Sequence, residues 1–424
     1  MERTNRPRLL FLSHTLPFPP DEGAYIRTFN LLRILAREFE VTGLFFHRAA
    51  TRPTSEHVRR GLDGLREFGE VESFAIPQDR SRLRLLRDHL RSIALRRAYT
   101  VFSYDSTPFR RRLRELLATR AFDVVHVDSL DLSGYLPELR GVPVACGHHN
   151  VESSLLRQRA QAERSFLRRR YMAHQADLIA KEEAAWGPRV GLNVMVSEDD
   201  RALFQRLVPD ARTVVVTNGV DTDAFRPSDH EPGTDLVFAG GYSWFPNRDA
   251  LSYFCEEILP GIRGMRPEVS VRWVGRIPEA VRQDCERRHG IRFTGYVDDV
   301  RPLVQDAACY IVPLRVGGGT RLKVLDAWAL GKAVVSTTVG CAGLVARPGE
   351  NILIADTPAD FARAVDRVLR DDALRRRLGE QGRRTAEMYY DWRVVGRVLL
   401  EAYRDLHRTA NAPDARAPAG RGPR

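Results

Sequence analysis

Lysine is nearly missing from this chain of 424 residues, occurring only at Lys181, Lys323 and Lys332, so arginine carries almost all of the +11 formal net charge. Long apolar runs are missing too. No stretch reaches the ~18 residues of a helical membrane span. The five cysteines, Cys146, Cys255, Cys285, Cys309 and Cys341, are far apart and form no CxxC pair. Isolated cysteines of this kind read as reduced core residues. No His, Cys, Asp or Glu run has ligand spacing, so neither a metal nor another cofactor is expected. The polar stretch Met1 to Arg8 leads directly into a strand pattern, so no signal peptide is expected and the address is read as cytoplasmic. A Walker loop and a GxGxxG fingerprint are both absent, which removes most of the case for P-loop kinases and NAD-dependent oxidoreductases.

What is present is alternation. Short β-branched runs such as Leu9–Ser13, Val41–Phe46, Val124–Val127, Leu236–Ala239 and Cys309–Pro313 alternate with longer amphipathic stretches. That is the signal of βαβ units and parallel sheets, an α/β fold. The length has room for two domains. The organisation expected is an N-terminal Rossmann-like domain over 1–220, a linker over 221–233 rich in turn formers, and a C-terminal Rossmann-like domain over 234–388. A helix over 389–407 then crosses back, and an Ala, Pro, Gly and Arg tail over 408–424 is read as disordered. Thr357-Pro358 ahead of Asp360 marks a capped helix start.

The most informative segment is Val316-Gly317-Gly318-Gly319-Thr320-Arg321-Leu322-Lys323-Val324-Leu325-Asp326. A strand runs into three glycines and then a helix opening near Thr320. Glycine lets backbone amides approach an anion, and a helix N-terminus adds about half a positive charge. With Arg321 and Lys323 beside it, the segment reads as a pyrophosphate cradle, with Asp326 placed to accept from ribose hydroxyls. The competing reading is a turn that packs a helix on a sheet.

Other constellations carry two readings as well. His148-His149-Asn150-Val151-Glu152 follows a strand and reads either as a loop-edge site, with His149 against a sugar, or as a turn in which Asn150 caps a helix. Gly23 lies in the loop after the first strand, and Arg27 one turn later would reach a phosphate; the alternative is a Pro-rich turn with a surface arginine. His126 reads as a core histidine. Asp221-Thr222-Asp223 reads as turn chemistry, not a metal motif. Between Arg80 and Arg120, ten arginines interleave with Leu83, Leu86, Leu90 and Ile93 at helical spacing. This is either a helix lying on an anionic membrane surface or the solvated face of a core helix. Interleaved aromatics in a basic groove are not found, so no nucleic acid is expected.

The run Pro313 to Lys332 resembles the donor-site signature of retaining glycosyltransferases of family 4, the group 1 transferases. Phe11-Leu12-Ser13 with the loop to Gly23, Thr217-Asn218-Gly219-Val220-Asp221 with Phe225, Phe238-Ala239-Gly240 with Pro246-Asn247, and Phe293-Thr294-Gly295-Tyr296-Val297 resemble other family segments in the family's order. The resemblance implies a GT-B fold, two Rossmann-like domains facing each other across a cleft. It implies a nucleotide-sugar donor (UDP- or GDP-sugar) and a lipid-linked or oligosaccharide acceptor, of the exopolysaccharide type. The family's paired glutamates fall on Gly318 and Asp326, so the first is lost. Its basic pair after the first donor-domain strand falls near Gly241 and Asn247, so it is missing. Arg321 and Lys323 are the local substitutes, with Arg248 second. By the same resemblance His149 stands near the anomeric centre, Gly23, Gly240, Gly241, Gly317, Gly318, Gly319 and Thr320 line the donor, and Arg27 and Glu152 lie on the acceptor side. A GT-B-like nucleotide-sugar epimerase and a basic membrane- or nucleic-acid-binding scaffold are the alternatives.

Overall fold

The structure is a computed structural model describing residues 6–21, 23–49, 54–228, 233, 235–318 and 320–410. Two compact units are formed, Met1–Val216 with Gly396–Arg424, and Thr217–Val395. Each carries one fully parallel sheet.

The first unit contributes β1 (Arg8–Ser13), β2 (Glu40–His47), β3 (Gly69–Ala75), β4 (Val124–Val127), β5 (Val144–Gly147), β6 (Leu192–Met195) and β7 (Thr213–Val215). Their spatial order is β3-β2-β1-β4-β5-β6-β7. The second contributes β8 (Leu236–Ala239), β9 (Val271–Val274), β10 (Arg292–Gly295), β11 (Cys309–Val312), β12 (Val334–Ser336) and β13 (Leu353–Ile354), in the order β10-β9-β8-β11-β12-β13. Central strands are apolar along their length because helices cover both faces of a parallel sheet. Leu9, Leu10, Phe11 and Leu12 are all fully buried. The sequence pattern misses β3, whose Glu70 and Glu72 break the apolar run, and β13, which is only two residues long. Both lie at sheet edges.

In the first unit Phe46 stacks on Phe109 with ring centroids 4.5 Å apart. In the second, Phe238 stacks on Trp273 at 3.8 Å, and the buried Trp328 indole donates to the Asn351 carbonyl at 2.9 Å. Gly382 is required beneath that indole, since a Cβ there would collide with it. Thr357 caps its helix as expected, accepting from the Asp360 amide at 3.2 Å. The helix expected over Ala250–Leu259 is instead a composite of Phe245–Tyr253, a π turn over Phe254–Ile258, and Leu259–Met265. Pro260 has no amide hydrogen to continue a regular ladder, and the wide turn absorbs the break.

Two boundaries differ from the sequence reading. The described part of 221–233 is not a free linker but belongs to the second unit, where Thr222 donates to Asp391 and the Val220 amide donates to the Tyr390 carbonyl at 2.8 Å. Residues 229–232 of it lie outside the described residues. The last helix, Trp392–Ala410, begins in the second unit and from Gly396 onward belongs to the first, with Tyr403 and Leu406 buried. It therefore includes 408–410, the start of the expected tail, while 411–424 lie outside the described residues.

Candidate functional site

In open parallel sheets, ligands bind beyond the carboxyl ends of the strands where the strand order reverses. In the second unit that point is between β8 and β11. The chain leaves β8 through Gly240 and Gly241. Gly240 has φ +159°, and a Cβ on it would lie 2.5 Å from the Asn247 amide nitrogen. Asn247, buried in the helix Phe245–Tyr253, donates to the Gly241 carbonyl at 2.9 Å and accepts from the Lys323 ammonium at 2.7 Å. Lys323 is in the first turn of the helix Leu322–Ala329 and lies over the Phe238 ring, 3.9 Å from its centroid. Sequence reasoning noted Asn247 only as a lost cation. The structure shows it as the partner that holds one arriving from the other side of the switch point.

Burial, followed by the charge of Arg321, drives the Lys323 ammonium well below its ordinary range. Burial likewise raises Asp326, one turn later, to about 7 against the pull of Lys323. Burial thus weakens the basicity of the cation and the acidity of the carboxyl side by side.

Several predicted residues are placed differently. The helix opens at Leu322, with Arg321 as its cap, not at Thr320. Arg321 is buried, donating to the Val339 carbonyl at 3.1 Å and to that of Gly318. Its guanidinium braces the loop from within, so the loop's outward charge comes from Lys323. Gly317 has φ +140°, and a Cβ there would lie 3.1 Å from that guanidinium. Thr320 is buried and Gly318 half-buried, while Gly319 lies outside the described residues. Arg248 is exposed, over the rings of Tyr242 and Phe245 at 5.7 Å.

In the first unit the order reverses between β1 and β4. Gly23 is not in a loop; it is the exposed first residue of the helix Gly23–Leu35. Arg27, in that helix, is fully buried and donates to the Val216 carbonyl at 2.8 Å. It faces the sheet because one turn of helix carries it to the apolar side, and so it is not a surface cation for acceptor or phosphate. Burial lowers it to about 10.

His149 follows β5 and lies 3.5 Å from a carboxylate oxygen of Asp128, a residue that sequence reasoning missed. Asp128 is fully buried at the end of β4 and accepts from Ser13 Oγ at 2.9 Å and Thr28 Oγ1 at 2.7 Å. Burial alone would raise it, but His149, His126 and His14 hold it well below the carboxylate range. His14, also missed, lies 3.6 Å from the same oxygen. The available signal was positional: each residue follows a strand end beside the switch point. His126 is a core histidine, hydrogen-bonded to Tyr403 at 2.5 Å. Asp221 accepts from the amides of Asp223 and Ala224 at 3.0 and 2.9 Å, the expected turn chemistry.

The helix after His149 is capped by Val151 and not Asn150, whose side chain donates to Glu152 at 3.1 Å. Glu152 is raised, first by burial and then by Asp131. A narrow pocket is lined by Ser129, Asp131, His149, Asn150, Glu152 and Glu183. Burial raises Glu183 to about 7 although the Ser153 hydroxyl and amide donate to it.

Between Arg80 and Arg120 the structure separates two parts. Arg97, Arg110, Arg112 and Arg114 pair with Glu182, Glu138, Glu72 and Glu138. The helix Arg82–Leu95 instead turns its apolar side outward, with Leu83 81% and Leu86 58% exposed. No helix among the described residues is long and apolar enough to cross a membrane.

Glu183 sets a pH dependence. The folded state keeps its proton up to about 7, whereas the unfolded chain releases it near 4.5, so its stabilising contribution is present at low pH and lost as pH rises through about 7. Chemical unfolding between pH 5 and 8 should show the native protein losing stability relative to Glu183→Gln, by on the order of 3 kcal/mol at most. Parallel pH profiles for the two proteins would contradict this assignment.

A family model described as Glycosyltransferase Family 4 matches residues 22–224, and one described as Glycosyl transferases group 1 matches residues 233–371. The lipopolysaccharide core biosynthesis glycosyltransferase LpsE of Rhizobium meliloti is 33% identical over 124 residues, 28% of this chain and 32% of that protein. The D-inositol 3-phosphate glycosyltransferase of a Nocardioides species is 30% identical over 223 residues, 46% of this chain and 48% of that protein. The chain thus matches less than half the length of either relative. Among solved structures, Anabaena HepE in complex with UDP superposes with a TM-score of 0.67 at 13% identity, over 94% of this chain and 100% of that one. Sucrose-phosphate synthase from Thermosynechococcus elongatus gives 0.71 at 17% identity, over 95% and 100%. With both sheets, their order and the two matched segments agreeing, the chain belongs to the group 1 glycosyltransferases of family 4, with the GT-B fold.

Proposed function

We propose that the chain is a retaining, metal-independent glycosyltransferase that moves a hexose from a UDP- or GDP-sugar to a lipid-linked or polysaccharide acceptor in cell-surface glycan synthesis. The observation that carries this reading is the second unit's switch point. There the half-buried Lys323, held by Asn247 beside Gly240, presents its ammonium to an incoming anion. In this reading the diphosphate pairs with the Lys323 ammonium, the loop amides around Gly317, Gly318 and Thr320 complete its contacts, and Asp326 takes the ribose. The anomeric carbon–oxygen bond to the diphosphate breaks as the acceptor hydroxyl attacks the same face, and the departing phosphate oxygen takes the hydroxyl proton. His149 supplies its imidazole to the transferred sugar. Fixed charge on the leaving group is the main catalytic effect. HepE's complex with UDP supports the choice of donor class.

The test is a thermal-shift panel of UDP, GDP, ADP, TDP and their sugars, with and without EDTA. A ligand at about 100 times its Kd adds about 2.7 kcal/mol to native stability. One diphosphate should raise Tm regardless of EDTA, and Lys323→Gln should abolish the shift. No shift with any nucleotide would overturn the donor site.

An exposed apolar and basic surface in the first unit supports the reading of a lipid-linked acceptor. The hydrogen bonds His89–Tyr171 and Gln175–Ser92 set the helix Arg82–Leu95 beside Phe166–Trp186. Leu83, Leu86, Leu90 and Ile93, with Phe166 and Leu167, are exposed, with arginines Arg82, Arg87, Arg168, Arg169 and Arg170 on the same two helices. Each basic residue near an anionic leaflet contributes about 1 kcal/mol, and the apolar side chains add insertion. Phosphatidylglycerol vesicles should co-sediment the protein, and replacing Leu83 and Leu86 by Glu should release it. Equal sedimentation of both forms would contradict membrane docking.

A further inference from the structure

His14, Asp128 and His149 come from three separate segments, yet their ligating atoms all lie within 4.8 Å of one another. Parallel pairing explains the convergence. β1, β4 and β5 are neighbours in register, His14 and Asp128 are the first residues beyond β1 and β4, and His149 is the second beyond β5. The ring nitrogens that face the carboxylate, His14 Nδ1 and His149 Nε2, are buried and accept or donate no hydrogen bond. A buried polar atom without a partner costs about 1–3 kcal/mol. Both atoms face the same carboxylate oxygen of Asp128, at 3.6 and 3.5 Å.

We infer that His14 Nδ1, His149 Nε2 and Asp128 Oδ2 form a three-ligand site for a divalent transition metal of the zinc class. Tetrahedral zinc with bonds near 2.1 Å requires ligand atoms about 3.4 Å apart. The two histidine-to-carboxylate separations are 3.6 and 3.5 Å. Two neutral imidazoles and one carboxylate suit zinc, not magnesium or calcium. The Ser13 and Thr28 hydroxyls donate to Asp128 Oδ2 and orient the carboxylate, the outer-shell support that metal ligands require.

The ion is an inhibitor in this account. Loading the site takes His149 Nε2 away from the transferred sugar, so zinc slows transfer while donor binding in the second unit stays indifferent to chelators. Binding stands independently of the transferase reading, and the inhibition rests on it.

The test uses the full chain stripped with chelator and titrated with zinc chloride by calorimetry, with cobalt(II) absorption as a second probe of nitrogen ligation. One equivalent should bind. His14→Ala should weaken it by more than the 10–100-fold that loss of an outer-shell partner typically costs, with Tm in the absence of metal showing that the variant is folded. Transfer by His14→Ala should resist zinc. No uptake, or uptake equal in His14→Ala because cysteines hold the ion, would overturn the site. Zinc bound by the native protein, lost in His14→Ala, and without effect on transfer would uphold the site and overturn the role given to His149.

Discussion

The reversal of strand order in each parallel sheet is the constraint from which both sites follow. Strands laid outward in both directions from β1/β4, and again from β8/β11, leave a gap where consecutive connections depart to opposite sides. Right-handed crossovers fix which side each helix takes. Whatever residue follows a central strand therefore meets whatever follows its neighbour, however far apart they are in sequence. Ser13 and Asp128 meet across 115 positions in this way, and Asn247 and Lys323 across 76.

The two switch points carry opposite chemistry. The second unit gathers glycines and a cation of weakened basicity, which suits an anion that supplies the missing charge. The first gathers three histidines around one buried carboxylate, with hydroxyls directed at it. In both, burial weighs on the protein's own groups: it lowers the basicity of Lys323, and His14 Nδ1 and His149 Nε2 are buried without a hydrogen bond. Such groups cost stability and gain it back when a ligand arrives, which is why perturbed groups cluster at sites.

Much of this was legible in the sequence. The glycine triplet followed by Thr-Arg-Leu-Lys pointed to the loop and helix start at the second unit's switch point because backbone permissiveness and charge are local properties. Thr357 and His126 were likewise readable from their immediate neighbours. What failed were statements about direction. Arg27 and Arg321 were read as cations for a ligand, yet both are turned inward onto backbone carbonyls, since helical spacing fixes which residues share a face and not what that face meets. For the same reason the leucines of Arg82–Leu95 could be placed on one stripe but not assigned to core or surface. His14 and Asp128 carried no local pattern, because only the order of strands brings them together.

The central claim is that Lys323, held by Asn247 at the second unit's switch point, receives the donor's diphosphate. Calorimetric titration with UDP of the native protein and of Lys323→Gln, with Tm showing that the variant is folded, reads that contact directly. The account predicts saturable binding of UDP by the native protein, lost in Lys323→Gln. No binding by the native protein, or binding unchanged in that variant, would contradict it.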